Sequence, residues 1–147
     1  MADEGQGSKV VTAPMSVLWE VAVDVERYPD WAGDVKSVTV EDRDDAGRPA
    51  RATFVVGGFG LSTTYTVTYS YDEPTSFSWT LVQSNEMRRL DGTYEFADRG
   101  DGTVEVTYRL AVDLKIPMIG MVKRRAEKTI IGHALDGLQR EAQRRSA

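Results

Sequence analysis

The chain has 147 residues, of which 41% are hydrophobic and 28% are charged, and its formal net charge is −5. This composition is typical of one globular domain with a single core and excludes a disordered chain. The absence of cysteine excludes disulfides, thiolate metal sites and cysteine nucleophiles, and a lone histidine, His133, argues against a transition-metal centre or a serine-type triad. We therefore predict one domain, residues 1–147, without a metal or a cofactor.

Two features of the charge and hydropathy pattern bear on location and partners. Residues 1–7 are acidic and glycine-bearing, are expected to be flexible, and lack the basic region and apolar run of a signal peptide. No later stretch is apolar enough for a transmembrane helix, which favours a cytoplasmic protein. A pI near 4.9 disfavours nucleic-acid binding. Basic side chains outnumber acidic ones in residues 115–147, so a peripheral contact with an anionic membrane or a partner protein stays open.

The first elements are a strand and one or two helices. Residues 8–14, SKVVTAP, predict a short first strand, and PMSVLWEVAVDV then has apolar residues at helical spacing. Pro29 is expected to stop this helix, so that a second short helix or a turn forms around ERYPDWAG. We interpret Tyr28 and Trp31 as apolar mass that fills the junction between these helices and the sheet.

From Val35 onwards the apolar residues alternate with polar ones. STTYTVTYSYD, SFSWTLV and TVEVTYRLAVDL have the two-residue period of strands with one apolar face, and six or seven strands are separated by turn residues. Residues 118–144 predict one long helix. Its apolar stripe is Ile119, Val122, Ala126, Ile130, Ala134 and Leu138. The order of elements indicates an α+β domain in which this helix covers an antiparallel sheet.

Three segments resemble the polyketide cyclase/dehydrase family of the START-like (SRPBCC) superfamily. They are DVERYPDW at 24–31, RRLDGTYEF at 88–96 and IPMIGMVKRRAEKTI at 116–130. The resemblance implies the helix-grip fold, in which a curved antiparallel sheet wraps around a long C-terminal helix and two short helices follow the first strand. It also implies a hydrophobic cavity between sheet and helix. Members of the family act as aromatase/cyclases or bind quinones or lipids, so the fold alone does not identify the function.

Strand alternation and the helical stripe together predict the side chains that face this cavity. The expected ligand-binding residues are Phe54, Val56, Tyr65, Val67, Tyr69, Trp79, Tyr94, Tyr108, Leu110, Val122, Ala126 and Ile130. Buried phenols need hydrogen-bond partners, and several of them share one concave face. We therefore expect the cavity to bind a bulky, mostly apolar molecule that carries hydroxyl or keto oxygens, such as a polyketide, a quinone or a lipid.

Two alternatives remain open at this stage. The chain is either such a binding protein or a polyketide aromatase/cyclase or dehydratase that works in the same cavity. The candidate catalytic residues are Arg88, which shares strand parity with Leu90 and Tyr94, and His133, which flanks the helical stripe. A further alternative is an interaction protein whose cavity is closed. The sequence does not decide between a monomer and a homodimer.

Overall fold

The computed structural model describes residues 4–58, 61–115 and 120–146. The strands are β1 Glu4–Thr12, β2 Val35–Arg43, β3 Pro49–Gly58, β4 Leu61–Asp72, β5 Ser76–Ser84, β6 Met87–Asp98 and β7 Thr103–Leu114. The α-helices are α1 Met15–Val23, α2 Tyr28–Trp31 and α3 Gly120–Ser146, and a short 3₁₀ turn, Val25–Arg27, joins α1 to α2. The architecture is therefore the predicted α+β arrangement, with the long helix last.

All the strands of the described chain form one antiparallel sheet. Its order is β1-β7-β6-β5-β4-β3-β2, so β2 to β7 follow one another as a meander and β1 pairs with β7. In β6 and β7, buried and less buried residues alternate along most of each strand, as the period of the sequence predicts. The apolar face of the sheet curves around α3, which confirms the helix-grip fold.

The first strand begins earlier than the sequence predicted. Residues 4–7 belong to the strand and pair with β7, although residues 1–7 were expected to be a flexible start. The physical reason is the close approach of α3. A Cβ atom on Gly7 would lie only 2.6 Å from Cγ2 of Ile131, and one on Gly5 would lie 3.0 Å from Cδ1 of the same residue. Glycine in this strand therefore marks helix packing and not a loose end.

The role predicted for Pro29 was wrong. Helix α1 ends at Val23, well before the proline, and Pro29 instead lies in the first turn of α2, where its missing N–H costs nothing. The hydroxyl of Tyr28 donates a hydrogen bond to the carbonyl oxygen of Ala22, and its ring meets that of Trp31 at a centroid distance of 4.9 Å. The hydrogen bond joins the two short helices, and the ring of Tyr28 also lies 6.2 Å from that of Phe54 on β3, at the predicted junction with the sheet.

Helix α3 uses two adjacent faces. One face packs against β1, β7 and α1 through the buried side chains of Ile131, Leu135, Leu138 and Ala142. Three residues of the predicted apolar stripe, Ala126, Ile130 and Ala134, lie on the neighbouring face, which is turned towards the middle strands of the sheet. Residues 118 and 119, where the predicted helix begins, lie outside the described part of the chain. Because α3 rests mainly on one side of the sheet, space remains above the other strands.

The space between helix and sheet is closed at one end by α1. The ring of Trp19 meets the rings of Phe77 and Phe96 edge to face, at centroid distances of 5.5 and 5.9 Å. Leu18, Val21 and Ala22 of the same helix are buried against this cluster. At the opposite end, where β3 meets β4, none of the described residues forms such a helix, and we call this end the mouth.

Candidate ligand-binding cavity

A cavity of about 470 Å³ lies between α3 and strands β3 to β7. Its size falls within the range of roughly 300–1,000 Å³ that is usual for small-molecule sites. The segment between α2 and β2 forms one side of its mouth, through Ala32, Gly33 and Asp34. Side chains do not fill this interior, which argues against the alternative of an interaction protein with a closed cavity.

The sheet side of the cavity is a continuous aromatic surface. Trp79 on β5 meets the rings of Tyr94 and Tyr108 at 5.6 and 5.7 Å, and these two tyrosines meet each other edge to face at 4.8 Å. The contacts follow from the register, because Tyr94 and Tyr108 are directly opposite each other on β6 and β7. Further along the sheet, Phe54 and Tyr65 are also cross-strand neighbours, and their rings stack at 5.3 Å.

Four phenol hydroxyls belong to this surface, those of Tyr65, Tyr69, Tyr94 and Tyr108. Burial raises the pKa of each of them above its ordinary value, so all four are neutral hydroxyls at physiological pH. Within the described ranges, none of the four forms a hydrogen bond to the protein. Tyr71, on the same face of β4 but outside the cavity, donates instead to the carbonyl oxygen of Pro49 at 2.6 Å. The four cavity hydroxyls therefore remain available to a ligand or to water.

Charged side chains are placed at the mouth. The Nζ atom of Lys123 lies 2.8 Å from Oδ1 of Asp113, and this contact lowers the pKa of the aspartate. On the other side of the opening, Nδ1 of His133 lies 3.3 Å from Oδ2 of Asp34, and the side chain of His133 is 64% exposed. Both pairs connect α3 to neighbouring segments, so the helix is held at the mouth by polar contacts and further in by apolar ones.

One carboxyl group lines the cavity further from the mouth. Glu127 lies one helical turn beyond Lys123 on α3, and only 4% of it is exposed. A second buried glutamate, Glu141, lies further along the same helix and outside the cavity. Arg144 and Arg145 donate hydrogen bonds to both of its carboxyl oxygens and lower its pKa to about 2. Glu127 borders the cavity, whereas Glu141 does not.

Most of the predicted ligand-binding residues border the cavity. They are Phe54, Val56, Tyr65, Tyr69, Trp79, Tyr94, Tyr108, Leu110, Ala126 and Ile130. Val67 does not, since it is fully buried between Tyr65 and Tyr69 on the same face of β4, and its side chain is shorter than theirs. The side chain of Val122 lies outside the described part of the structure. Whether the bordering residues bind a ligand stays a prediction.

The two candidate catalytic residues are placed differently. His133 borders the mouth of the cavity, whereas Arg88 is exposed and does not line it. The strand parity that placed Arg88 inside was wrong, because β6 has a register shift between Met87 and Arg89 in its pairing with β7. One residue is taken up by this irregularity, so Met87 faces the cavity in place of Arg88.

Sequence reasoning missed several residues of the site. Among them are Tyr28, Met87, Val112, Lys123 and Glu127. Glu127 was not considered because its charge suggested the solvated face of α3, yet it precedes Ile131 by four residues and so shares the face that packs on the sheet. The four-residue spacing from Ile131 was the sequence feature that could have indicated the burial of Glu127.

Among the described residues, no group of three or more histidine, aspartate or glutamate side chains is arranged to hold a metal ion. No helix in the same ranges combines the length and the apolar character needed to cross a membrane.

Comparisons with known proteins agree with this geometry. The family model described as "Polyketide cyclase / dehydrase and lipid transport" matches residues 11–139. No curated protein matches the chain. A START superfamily protein from Mycobacterium smegmatis has a similar solved structure, with a TM-score of 0.90, 18% identity, and coverage of 96% of this chain and 97% of that one.

Two other solved structures are similar over nearly their whole length. A protein from Thermus thermophilus has a TM-score of 0.83 and 21% identity, and the match covers 99% of this chain and 100% of that one. The Zhui aromatase/cyclase from a Streptomyces species also has a TM-score of 0.83, with 14% identity and coverage of 100% and 97%. At these identities the likeness shows a common fold.

Proposed function

We infer that this chain, which belongs to the polyketide cyclase/dehydrase and lipid transport family, binds a bulky, mostly apolar small molecule with hydroxyl or keto oxygens. The binding site is the cavity between α3 and the sheet. The observation that carries this proposal is the set of four cavity tyrosines, Tyr65, Tyr69, Tyr94 and Tyr108, whose hydroxyls have no hydrogen-bond partner in the described residues.

The chemistry of the walls supports this ligand class. Aromatic and aliphatic side chains bury apolar surface without regard to its exact shape, which favours a fused-ring or long-chain skeleton. Each phenol, by contrast, needs an oxygen or nitrogen within hydrogen-bond distance when water is displaced, and leaving it without one costs about 1–3 kcal/mol. A ligand that carries oxygens along an apolar skeleton satisfies both requirements. Polyketides and quinones fit this description best, and an oxygenated lipid fits it as well.

The test uses 2,6-dihydroxyanthraquinone, a planar molecule with two keto and two hydroxyl oxygens. We expect it to quench the tryptophan fluorescence of the protein in a saturable manner with one binding site, since Trp31 and Trp79 both line the cavity. Ala126→Phe, which places a ring inside the cavity, is expected to weaken binding by about tenfold or more. Lys128→Phe is the matched control, because residue 128 is exposed two positions further along the same helix. The absence of saturable binding, or equal binding by the Ala126→Phe variant, would contradict the proposal.

An aromatase/cyclase or dehydratase activity in the same cavity is the second candidate. It is favoured by the contact between His133 and Asp34 at the edge of the cavity, because a histidine oriented by a carboxylate is suited to proton transfer. If the chain acts on a poly-β-keto substrate, His133→Ala should reduce turnover by roughly a hundredfold or more. Arg88→Ala, which alters an exposed residue outside the cavity, should leave turnover unchanged. Equal turnover in both variants would remove this candidate.

A further inference from the structure

We propose that Trp31 limits the length of the ligand, because its indole ring separates the cavity from a second groove that continues along the same face of α3. The ligand class that follows is an oxygenated ring system with a short alkyl chain, while longer chains are excluded by the indole. This inference rests on the proposed function, since it assigns a role in ligand selection to one residue of that binding site.

The second groove lies between α2 and α3. Trp31 and Gly33 line both the groove and the cavity, so the indole stands between the two spaces. The other lining residues of the groove are Pro29, Asp30, Arg140, Glu141 and Arg144. Most of these side chains are exposed to solvent, whereas the cavity is lined mainly by aromatic and aliphatic residues.

The two spaces follow one face of the long helix. Ile130 and His133 line the cavity, and Arg140 and Arg144 line the groove further along α3. Steps of three or four residues keep side chains on the same side of a helix, and Gly137 continues this series between His133 and Arg140. The face is therefore continuous, and the side chain that meets Gly137 divides it into two parts.

Trp31 is the side chain that meets Gly137. A Cβ atom on Gly137 would lie 3.0 Å from Cε3 of the indole and 3.1 Å from the carbonyl oxygen of Trp31, so the ring lies directly against α3. Only 8% of Trp31 is exposed, and its Nε1–H has no hydrogen-bond partner among the described residues. Packing against Gly137 and the ring of Tyr28 therefore holds the indole in place.

An apolar wall at this point selects ligands by length. A chain that grows inside the cavity should gain about fourfold in affinity for each buried methylene group, which corresponds to about 0.8 kcal/mol. Growth stops being favourable when the chain reaches the indole, because displacing a packed aromatic ring costs more than one methylene group contributes. The wild-type protein should therefore have a chain length beyond which affinity no longer rises.

The experiment uses a series of 2-alkyl-1,4-naphthoquinones with unbranched chains of increasing length, and calorimetric titration measures their affinities. In Trp31→Leu the affinity should continue to rise beyond the wild-type limit. Homologues longer than that limit should bind the variant at least about tenfold more tightly than the wild-type protein. Shorter homologues should bind both proteins within about threefold, whereas a purely structural role of Trp31 would weaken the whole series alike.

Trp19→Leu is the matched control, because Trp19 packs on Phe77 near α1 and does not line the cavity, so the length limit should stay unchanged. If Trp31→Leu does not fold, Trp31→Phe decides, since its smaller ring should still improve binding of the longer homologues by about threefold or more. Equal length limits in the wild-type protein and the folded Trp31 variant, or wild-type affinity that rises throughout the series, would overturn the role of Trp31 alone. If no homologue binds the wild-type protein in a saturable manner, the proposed function itself fails.

Discussion

The indole ring of Trp79 lies over Gly92, the residue directly opposite it on the neighbouring strand. A Cβ atom on Gly92 would be 2.1 Å from Cε2 of the indole, which is far inside van der Waals contact. The missing side chain allows the ring to lie against the sheet, where it meets Tyr94 and Tyr108. The aromatic wall of the cavity thus depends on a glycine in the middle of a strand.

Gly92→Ala is therefore expected to displace Trp79 into the cavity. The free energy of unfolding should fall by about 1–3 kcal/mol, as is usual for an overpacked site, and affinity for 2,6-dihydroxyanthraquinone should fall with it. Chemical denaturation and fluorescence titration measure the two effects. Gly132→Ala is the control, since its Cβ would meet nothing within 4 Å and it should stabilise α3 by about 1 kcal/mol. Unchanged stability and unchanged tryptophan emission in Gly92→Ala would show that the contact is unimportant.

Removing single phenol hydroxyls should separate binding from stability. Tyr94→Phe and Tyr108→Phe are each expected to weaken binding of the anthraquinone by about threefold to tenfold, with little change in unfolding free energy. Tyr71→Phe should do the reverse, because its hydroxyl bonds to the carbonyl oxygen of Pro49 and is remote from the cavity. That variant should lose about 1 kcal/mol of stability and keep its affinity. The interpretation of the cavity hydroxyls would be wrong if all three variants behaved alike in calorimetric titration and in thermal unfolding.

The buried carboxylate of Glu141 predicts a pH dependence of stability. Its pKa is lowered from an ordinary 4.5 to about 2, chiefly by the hydrogen bonds from Arg144 and then by the one from Arg145. Because the folded-state pKa is the lower one, the stabilisation is complete above pH 4.5 and is lost as the pH falls towards 2. The stability difference between the wild-type protein and Glu141→Gln should therefore be largest near neutral pH and shrink over that range. A difference that stays constant from neutral pH down to about pH 2 would exclude this account.

The close packing of α3 on the first strand gives a further prediction. Gly7→Ala places a Cβ atom 2.6 Å from Cγ2 of Ile131, so it should lower the unfolding free energy by about 1–3 kcal/mol. Ile131→Ala removes the clashing group, and the double variant should cost less than the sum of the single ones. Gly33→Ala, which meets nothing within 4 Å, is the control. Strict additivity in denaturant unfolding would mean that the two residues do not contact each other.

The sequence predicted the sheet side of the cavity well, for a physical reason. A strand has a side-chain period of two, so once Tyr65 and Tyr69 are assigned to one face, the cross-strand partners follow with little ambiguity. The same argument placed Trp79, Tyr94 and Tyr108 correctly. Strand alternation assigns a residue to the wrong face where an extra residue interrupts the pairing of two strands. The irregularity between Met87 and Arg89 is such a place. Nothing in the residue types there indicates a bulge, so Arg88 was assigned to the wrong face.

The helix side was harder to predict because α3 has two functional faces. The predicted stripe contained Ala126 and Ile130 but not Ile131 and Leu135, which pack on β1 and β7 from an adjacent face. Glu127 lies at the boundary between the two, where a charged residue is normally assigned to solvent. Its burial depends on Gly5 and on the tight packing of the first strand, which is a tertiary effect.

The central claim is that the ligand lies between the sheet and α3, and methyl NMR tests it most directly. With 2,6-dihydroxyanthraquinone bound, we predict intermolecular nuclear Overhauser effects from the probe to the methyl groups of both Leu110, on the sheet wall, and Ile130, on the helix wall. The exposed methyl groups of Val82 should show none. Contacts confined to exposed methyl groups, or saturating probe without any contact to Leu110 and Ile130, would contradict the account.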